Sequence, residues 1–90
     1  MEIIMANVTI YTTRTCGYCY YVKSLLTKKG VPFEEIDVSG DAEGRQRMMV
    51  RTNGRRSVPQ VFIGGTHVGG SEELYELERR GGLDQLLAAS

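Results

Sequence analysis

The chain has 90 residues, 41% of them apolar, with 11 Lys and Arg against 11 Asp and Glu, a balance that fits one ordinary globular domain. Even charge gives no general attraction to nucleic acid or to an anionic membrane, so any electrostatic recognition must be local. No stretch approaches a membrane span, and the opening Met1–Met5 is too short, and lacks the basic start, for a secretory signal.

Residues 1–6 show no clear period and are expected as a short frayed N-terminal extension, with Met5 as an alternative start. Asn7 to Thr12 alternates Val8 and Ile10 against Thr9 and Tyr11, which predicts a strand. The next segment, Thr15-Cys16-Gly17-Tyr18-Cys19, holds both cysteines of the chain. Behind it, Tyr21, Val22, Leu25 and Leu26 fall at helical spacing, Lys28 and Lys29 sit in the last turn, and Gly30 is the stop. Val31-Pro32 then turns the chain into a second strand, Phe33 to Val38, parallel to the first and carrying Ile36 and Val38 on one face.

Ser39 to Asp41 offers capping side chains for a helix over Arg45 to Arg51 with Met48 and Met49, ended by Asn53-Gly54. Pro59 opens a strand at Gln60-Val61-Phe62-Ile63, and Gly64-Gly65 turns it into Thr66-His67-Val68 as a two-residue hairpin. Here His67 reads as an exposed strand residue without a chemical role. Gly69-Gly70 leads to Ser71, read as the N-cap of a helix in which Glu72 and Glu73 suit the dipole and Leu74 and Leu77 face inward. Gly81-Gly82 ends it, and Leu83 to Ala88 supplies a last short helix. The order is βαβαββα plus a terminal helix: an α/β chain of three layers around a mixed four-stranded sheet, with no repeat or linker.

The chemistry concentrates in the cysteine pair. With a helix running from Tyr18, Cys16 and Cys19 stand at i,i+3, with Cβ atoms about 5–6 Å apart, inside the window in which a disulfide closes and opens with little backbone movement. A thiol at a helix start lies among unpartnered amides at the positive end of the dipole, and both favour the nucleophilic thiolate. Cys16, at the tip, is assigned as the nucleophile, and Cys19, one turn inside, as the resolving thiol. Two structural core thiols, or half of a zinc site, are the alternatives; the zinc site lacks ligands, since only His67 remains. A cycling dithiol suits a reducing cytosol.

Cys16-Gly17-Tyr18-Cys19, Ser57-Val58-Pro59-Gln60-Val61-Phe62-Ile63 and Gly69-Gly70-Ser71-Glu72-Glu73-Leu74 together resemble the glutaredoxin family, in its bacterial dithiol form. The resemblance runs from Asn7 to Leu87 and implies a thioredoxin fold over residues 7–90. It implies a cis bond before Pro59, a Val58 backbone that pairs with the cysteinyl part of glutathione, and a γ-glutamyl end held near Gly70, Ser71 and Glu72. For the glycine carboxylate it implies Gln46 and a lysine position that here holds Thr13, with Arg14 adjacent, while Tyr18 takes the family's aromatic position flanking the disulfide and Ser57 precedes the pairing residue. Arg45, Arg47, Arg51, Arg55 and Arg56 are either a solvated face or a local positive field for anionic glutathione. Gly17 stands where dithiol relatives mostly have proline. Relatives lacking that proline include some that share an iron–sulfur cluster between two monomers, which leaves a cluster carrier, and a thioredoxin-like reductase, as rival readings. The implied activity is glutathione-dependent reduction of mixed and protein disulfides by a cytoplasmic monomer, with glutathione as co-substrate, disulfide-bearing client proteins as partners, no required metal, no nucleic acid and no membrane.

Overall fold

The structure, a computed structural model, describes residues 7–88; the expected frayed extension lies outside them. Strand β1 (Val8–Thr12) is followed by helix α1 (Gly17–Lys28), β2 (Glu34–Asp37), α2 (Ala42–Arg51), β3 (Gln60–Ile63), β4 (Thr66–Gly69), α3 (Ser71–Arg79) and α4 (Gly82–Ala88). The sheet order is β2-β1-β3-β4, with β1 parallel to β2 and antiparallel to β3, and β3 antiparallel to β4. This is the expected three-layer arrangement on a mixed four-stranded sheet.

β1 lies at the centre, and its alternation sorts side chains to two cores. Val8 and Ile10 point into the larger one with Val61 and Ile63 of β3, Val22 and Leu26 of α1, Leu74 of α3, and Leu83 and Leu87 of α4. Tyr11 points to the opposite face with Phe62, Val38 and Met48 of α2, and Ile36 and Val58 close the edge of that cluster. Two covered faces explain why β3 reads as an unbroken buried run rather than an alternating one. Each fully buried leucine contributes on the order of 1.5–3 kcal/mol by transfer out of water.

Several element bounds differ from the sequence expectation for local reasons. Helix α2 starts three residues earlier than Arg45 because Asp41 caps it, its carboxylate accepting the Gly44 N–H at 2.9 Å. Asn53 (φ 59°) and Gly54 (φ 92°) then turn the chain out of the helix through the left-handed region. In α1 the buried stripe is Cys19, Val22 and Leu26, and Tyr21 points to solvent beside Tyr20. The far end of α1 is tied down by Lys29, which bridges Glu78 at 2.9 Å and Asp84 at 2.7 Å; those bonds, Asp84's first, hold the ammonium above its ordinary value.

Candidate active site

The cysteines sit where the central strand hands the chain to α1. β1 ends at buried Thr12, whose hydroxyl donates to Glu35 at 2.7 Å and whose carbonyl accepts the Val38 N–H at 2.8 Å. The Arg14 N–H donates to the Ser39 hydroxyl at 2.8 Å, and the Cys16 N–H reaches the Thr13 carbonyl at 3.4 Å. The approach to Cys16 is thereby fastened to the turn between β2 and α2.

Cys16 is the N-cap of α1, with extended dihedrals (φ −92°, ψ 108°), and its sulfur accepts the Cys19 N–H at 3.1 Å. Gly17, not Tyr18, is the first helical residue. Cys16 and Cys19 are joined as a disulfide with Cα atoms 5.3 Å apart. Cys19 is 1% exposed, whereas Cys16 is half-buried at the tip, so an incoming molecule meets only Cys16. Once the disulfide opens, the first-turn amides and the helix dipole stabilise negative charge on the Cys16 sulfur.

Facing the sulfur is the segment between α2 and β3. The Val58–Pro59 bond is cis, and the Val58 carbonyl oxygen lies 3.7 Å from the Cys16 sulfur. Upstream of it the backbone is held by side chains: the Arg55 carbonyl accepts from the Thr52 hydroxyl at 3.0 Å, the Arg56 carbonyl from Arg45 at 2.8 Å, and the Ser57 carbonyl from the Gln60 amide at 2.9 Å. Gln60 is fully buried, and its amide oxygen lies 2.6 Å from His67 Nε2.

The third wall is the start of α3. Its N-cap is Gly70 rather than Ser71, because the Gly70 carbonyl already accepts the Leu74 N–H at 3.0 Å and Ser71 is helical. Glycine has no capping oxygen, so the Glu73 side chain reaches back to the Gly70 N–H and also pairs with Arg55 at 3.1 Å. The Gly70 N–H first, and Arg55 after it, outweigh burial and hold the Glu73 carboxyl below its ordinary value. A Cβ on Gly70 would stand 3.2 Å from the Pro59 carbonyl, so the two segments approach backbone to backbone.

Arg55, Ser57, Val58, Pro59, Gly70, Ser71, Glu72 and Glu73 line one small hollow of about 120 Å³. Tyr18, 66% exposed, joins Ser71 and Glu72 on the wall of a larger open groove of about 820 Å³ that continues past Tyr21 and Tyr75. Thr13 touches the site through its carbonyl. Gln46 stands apart: it is exposed and lines a different depression with Ala42, Glu43 and Arg47. His67, expected as an exposed strand residue, is half-buried against the Phe62 ring, 5.0 Å between centroids. Burial first, then the Arg55 charge, holds it below its ordinary value. From the sequence, Gln60 has no role of its own, Arg55 stands only as one of five arginines in a charge run and Glu73 only as an acid suited to the helix dipole; the spacing of Glu73 three beyond Gly70 is the available signal for its capping. Among the described residues no three His, Cys, Asp or Glu side chains group as a metal site, and no helix is long and apolar enough to cross a membrane.

What this arrangement can do is exchange disulfides at one accessible, half-buried sulfur with a second sulfur one turn behind it, and the relatives of the chain agree. The glutaredoxin family model matches residues 8–68. The chain is 53% identical over 83 residues to glutaredoxin 3 of Escherichia coli K12, covering 92% of this chain and 99% of that one. Among solved structures it is similar to the glutaredoxin of Brucella melitensis, at 49% identity and TM-score 0.81 over 93% of this chain and 90% of that one. It is also similar to a buckwheat glutaredoxin–glutathione complex, at 33% identity and TM-score 0.81 over 91% and 76% of the two chains. With the thioredoxin fold and a Cys16–Cys19 pair in place, the chain belongs to the glutaredoxin family and is a thiol–disulfide oxidoreductase.

Proposed function

We propose that this chain uses glutathione, reducing protein–glutathione mixed disulfides through Cys16 alone and protein disulfides through Cys16 and Cys19. The observation that carries the reading is the placement of the half-buried Cys16 sulfur opposite the Val58 carbonyl, beside a hollow that leads to the start of α3.

In the first route the Cys16 thiolate attacks the glutathione sulfur of a mixed disulfide. The protein leaves as a thiolate and takes up a proton, and Cys16 is left bonded to glutathione. A second glutathione thiolate attacks that glutathione's sulfur, releasing glutathione disulfide and regenerating the Cys16 thiolate. In the second route Cys16 attacks a client disulfide, and Cys19, losing its proton, attacks the Cys16 sulfur and expels the client as a dithiol. The Cys16–Cys19 disulfide so formed is reduced by two glutathiones. A potential of about −200 to −230 mV is the value for this family, less reducing than thioredoxin.

Glutathione lies in this reading with its cysteinyl backbone along Ser57, Val58 and Pro59, and its γ-glutamyl end at Gly70, Ser71 and Glu72. Free amides at the helix start suit a carboxylate, and Glu72 suits the ammonium. In this reading Tyr18 takes the aromatic position flanking the disulfide, and the Thr13 segment borders Cys16. Arg55 lines this hollow whereas Gln46 opens on another, so Arg55 is the positive group for glutathione's carboxylates. The functional unit is residues 7–90, acting as a cytoplasmic monomer on disulfide-bearing proteins.

The test is turnover on a glutathionylated peptide by the wild type and both cysteine variants: Cys16→Ser is dead and Cys19→Ser stays active. Full activity in Cys16→Ser refutes the assignment. A second reading, an iron–sulfur cluster held between two chains by Cys16 and glutathione, is favoured by one observation: a Cβ on Gly17 would meet nothing within 4 Å, so the tip is open there. Anaerobic reconstitution with glutathione gives a coloured dimer if this holds, and a colourless monomer if it does not.

A further inference from the structure

The segment facing Cys16 has an unusual run of held carbonyls. Those of Arg55, Arg56 and Ser57 each accept from a side chain, of Thr52, Arg45 and Gln60 in turn, at 3.0, 2.8 and 2.9 Å. The next carbonyl, that of Val58, has the Cys16 sulfur as its neighbour at 3.7 Å. The last pin before it is therefore the Gln60 amide.

The chemistry of Gln60 leaves no freedom in how it is oriented. The Ser57 carbonyl can only accept, so the amide nitrogen must face it; that nitrogen also lies 3.3 Å from the Ser57 hydroxyl. The amide oxygen then faces His67 at 2.6 Å, and because an amide oxygen only accepts, His67 carries its hydrogen on Nε2. Gln60 is fully buried and His67 rests on Phe62. A buried amide with both ends satisfied is rigid, since swinging away would orphan polar atoms out of reach of water.

We propose that Gln60 and His67 are positioning residues for the disulfide chemistry: His67 fixes Gln60, Gln60 fixes Ser57, and the Val58 backbone is thereby held in register beside Cys16. The inference rests on the reading that glutathione pairs with the Val58 backbone. Neither residue touches substrate. Loss of the pin loosens binding equally in ground and transition states, so it raises KM and leaves kcat in place.

The experiment compares wild type, Gln60→Met, His67→Phe and His67→Gln on a peptide glutathionylated at one cysteine, and on the same peptide carrying a 2-mercaptoethanol mixed disulfide. Gln60→Met keeps the length and loses the hydrogen bonds; at about 1 kcal/mol per bond, KM for the glutathionylated peptide rises roughly five- to thirtyfold, with kcat within twofold. His67→Phe raises KM by about three- to tenfold, and His67→Gln, which can place an N–H where Nε2 was, restores it. Unchanged KM in a folded Gln60→Met protein overturns the proposal. If Gln60→Met does not fold, the His67 pair decides: equal KM in His67→Phe and His67→Gln overturns it, and rescue by His67→Gln supports it. A wild type that treats both peptides alike refutes glutathione recognition instead; a KM rise on both peptides in the variants then still supports the pin.

Discussion

Helices α1 and α2 begin in the same way and to different ends. In each, the N-cap side chain accepts the N–H of the third helical residue: Cys16 sulfur from Cys19 at 3.1 Å, Asp41 carboxylate from Gly44 at 2.9 Å. Both caps answer the need of first-turn amides for partners. At α2 the answer is permanent, and the fit is so tight that a Cβ on Gly44 would run into the Asp41 carboxylate. At α1 the capping atom is one that can also be bonded covalently, and the third residue supplies the sulfur that bonds it. A structural necessity of every helix start is here placed on a reactive atom.

Breaking the α1 cap has the largest effect. Cys16→Ser retains a capping oxygen and so keeps the fold, but turnover of glutathionylated peptide falls to background, whereas Cys19→Ser keeps that turnover and loses only reduction of protein disulfides. Next comes Asp41→Ala, which removes the permanent cap: it costs about 1 kcal/mol and lowers Tm by about 4–8 °C in a calorimetric scan, with kcat/KM unaltered. Gly17→Pro sharpens the contrast from the other side. The first helical position accepts proline and the space beyond Gly17 is open, so chemical denaturation shows a gain of about 0.4–1 kcal/mol.

The smallest effect belongs to α3, whose cap is a glutamate reaching back. Glu73 has a depressed value in the folded chain, so its stabilisation is fully present above its ordinary 4.5 and is lost as pH falls through the lower folded value. Both Arg55 and Glu73 are some two-fifths exposed, and solvent screening limits the pair to ~0.2–1 kcal/mol. Urea melts of Glu73→Gln therefore show a small deficit at pH 7 that closes as the pH falls below 4.5 and through the lower folded value.

Alternation along β1, the unbroken apolar run Val61-Phe62-Ile63 in β3 and the helical spacing of Val22 and Leu26 made the layers legible, because one buried face leaves a periodic trace and two leave a continuous one. The cysteine pair was legible from its spacing alone. The α3 cap was misread: in Gly69-Gly70-Ser71 a hydroxyl is the usual cap, but the chain passes Pro59 so closely that glycine holds the position and Glu73 does the capping. His67 and Gln60 were opaque for a related reason. A polar residue in a short strand looks solvent-facing unless its partner is known, and theirs lie seven residues apart across a hairpin irregular at β4. Gln46 came from family likeness, and nothing in its own helix face tied it to the hollow.

The depth of Cys19 has a consequence for survival under peroxide. An oxidant reaches the outer sulfur first and leaves a sulfenic acid there, one turn from a sheltered thiol. Condensation of the two expels water and returns the pair to a disulfide, which thiols can reopen, before a second oxygen makes the damage irreversible. Burying one sulfur thus gives the other a built-in repair partner.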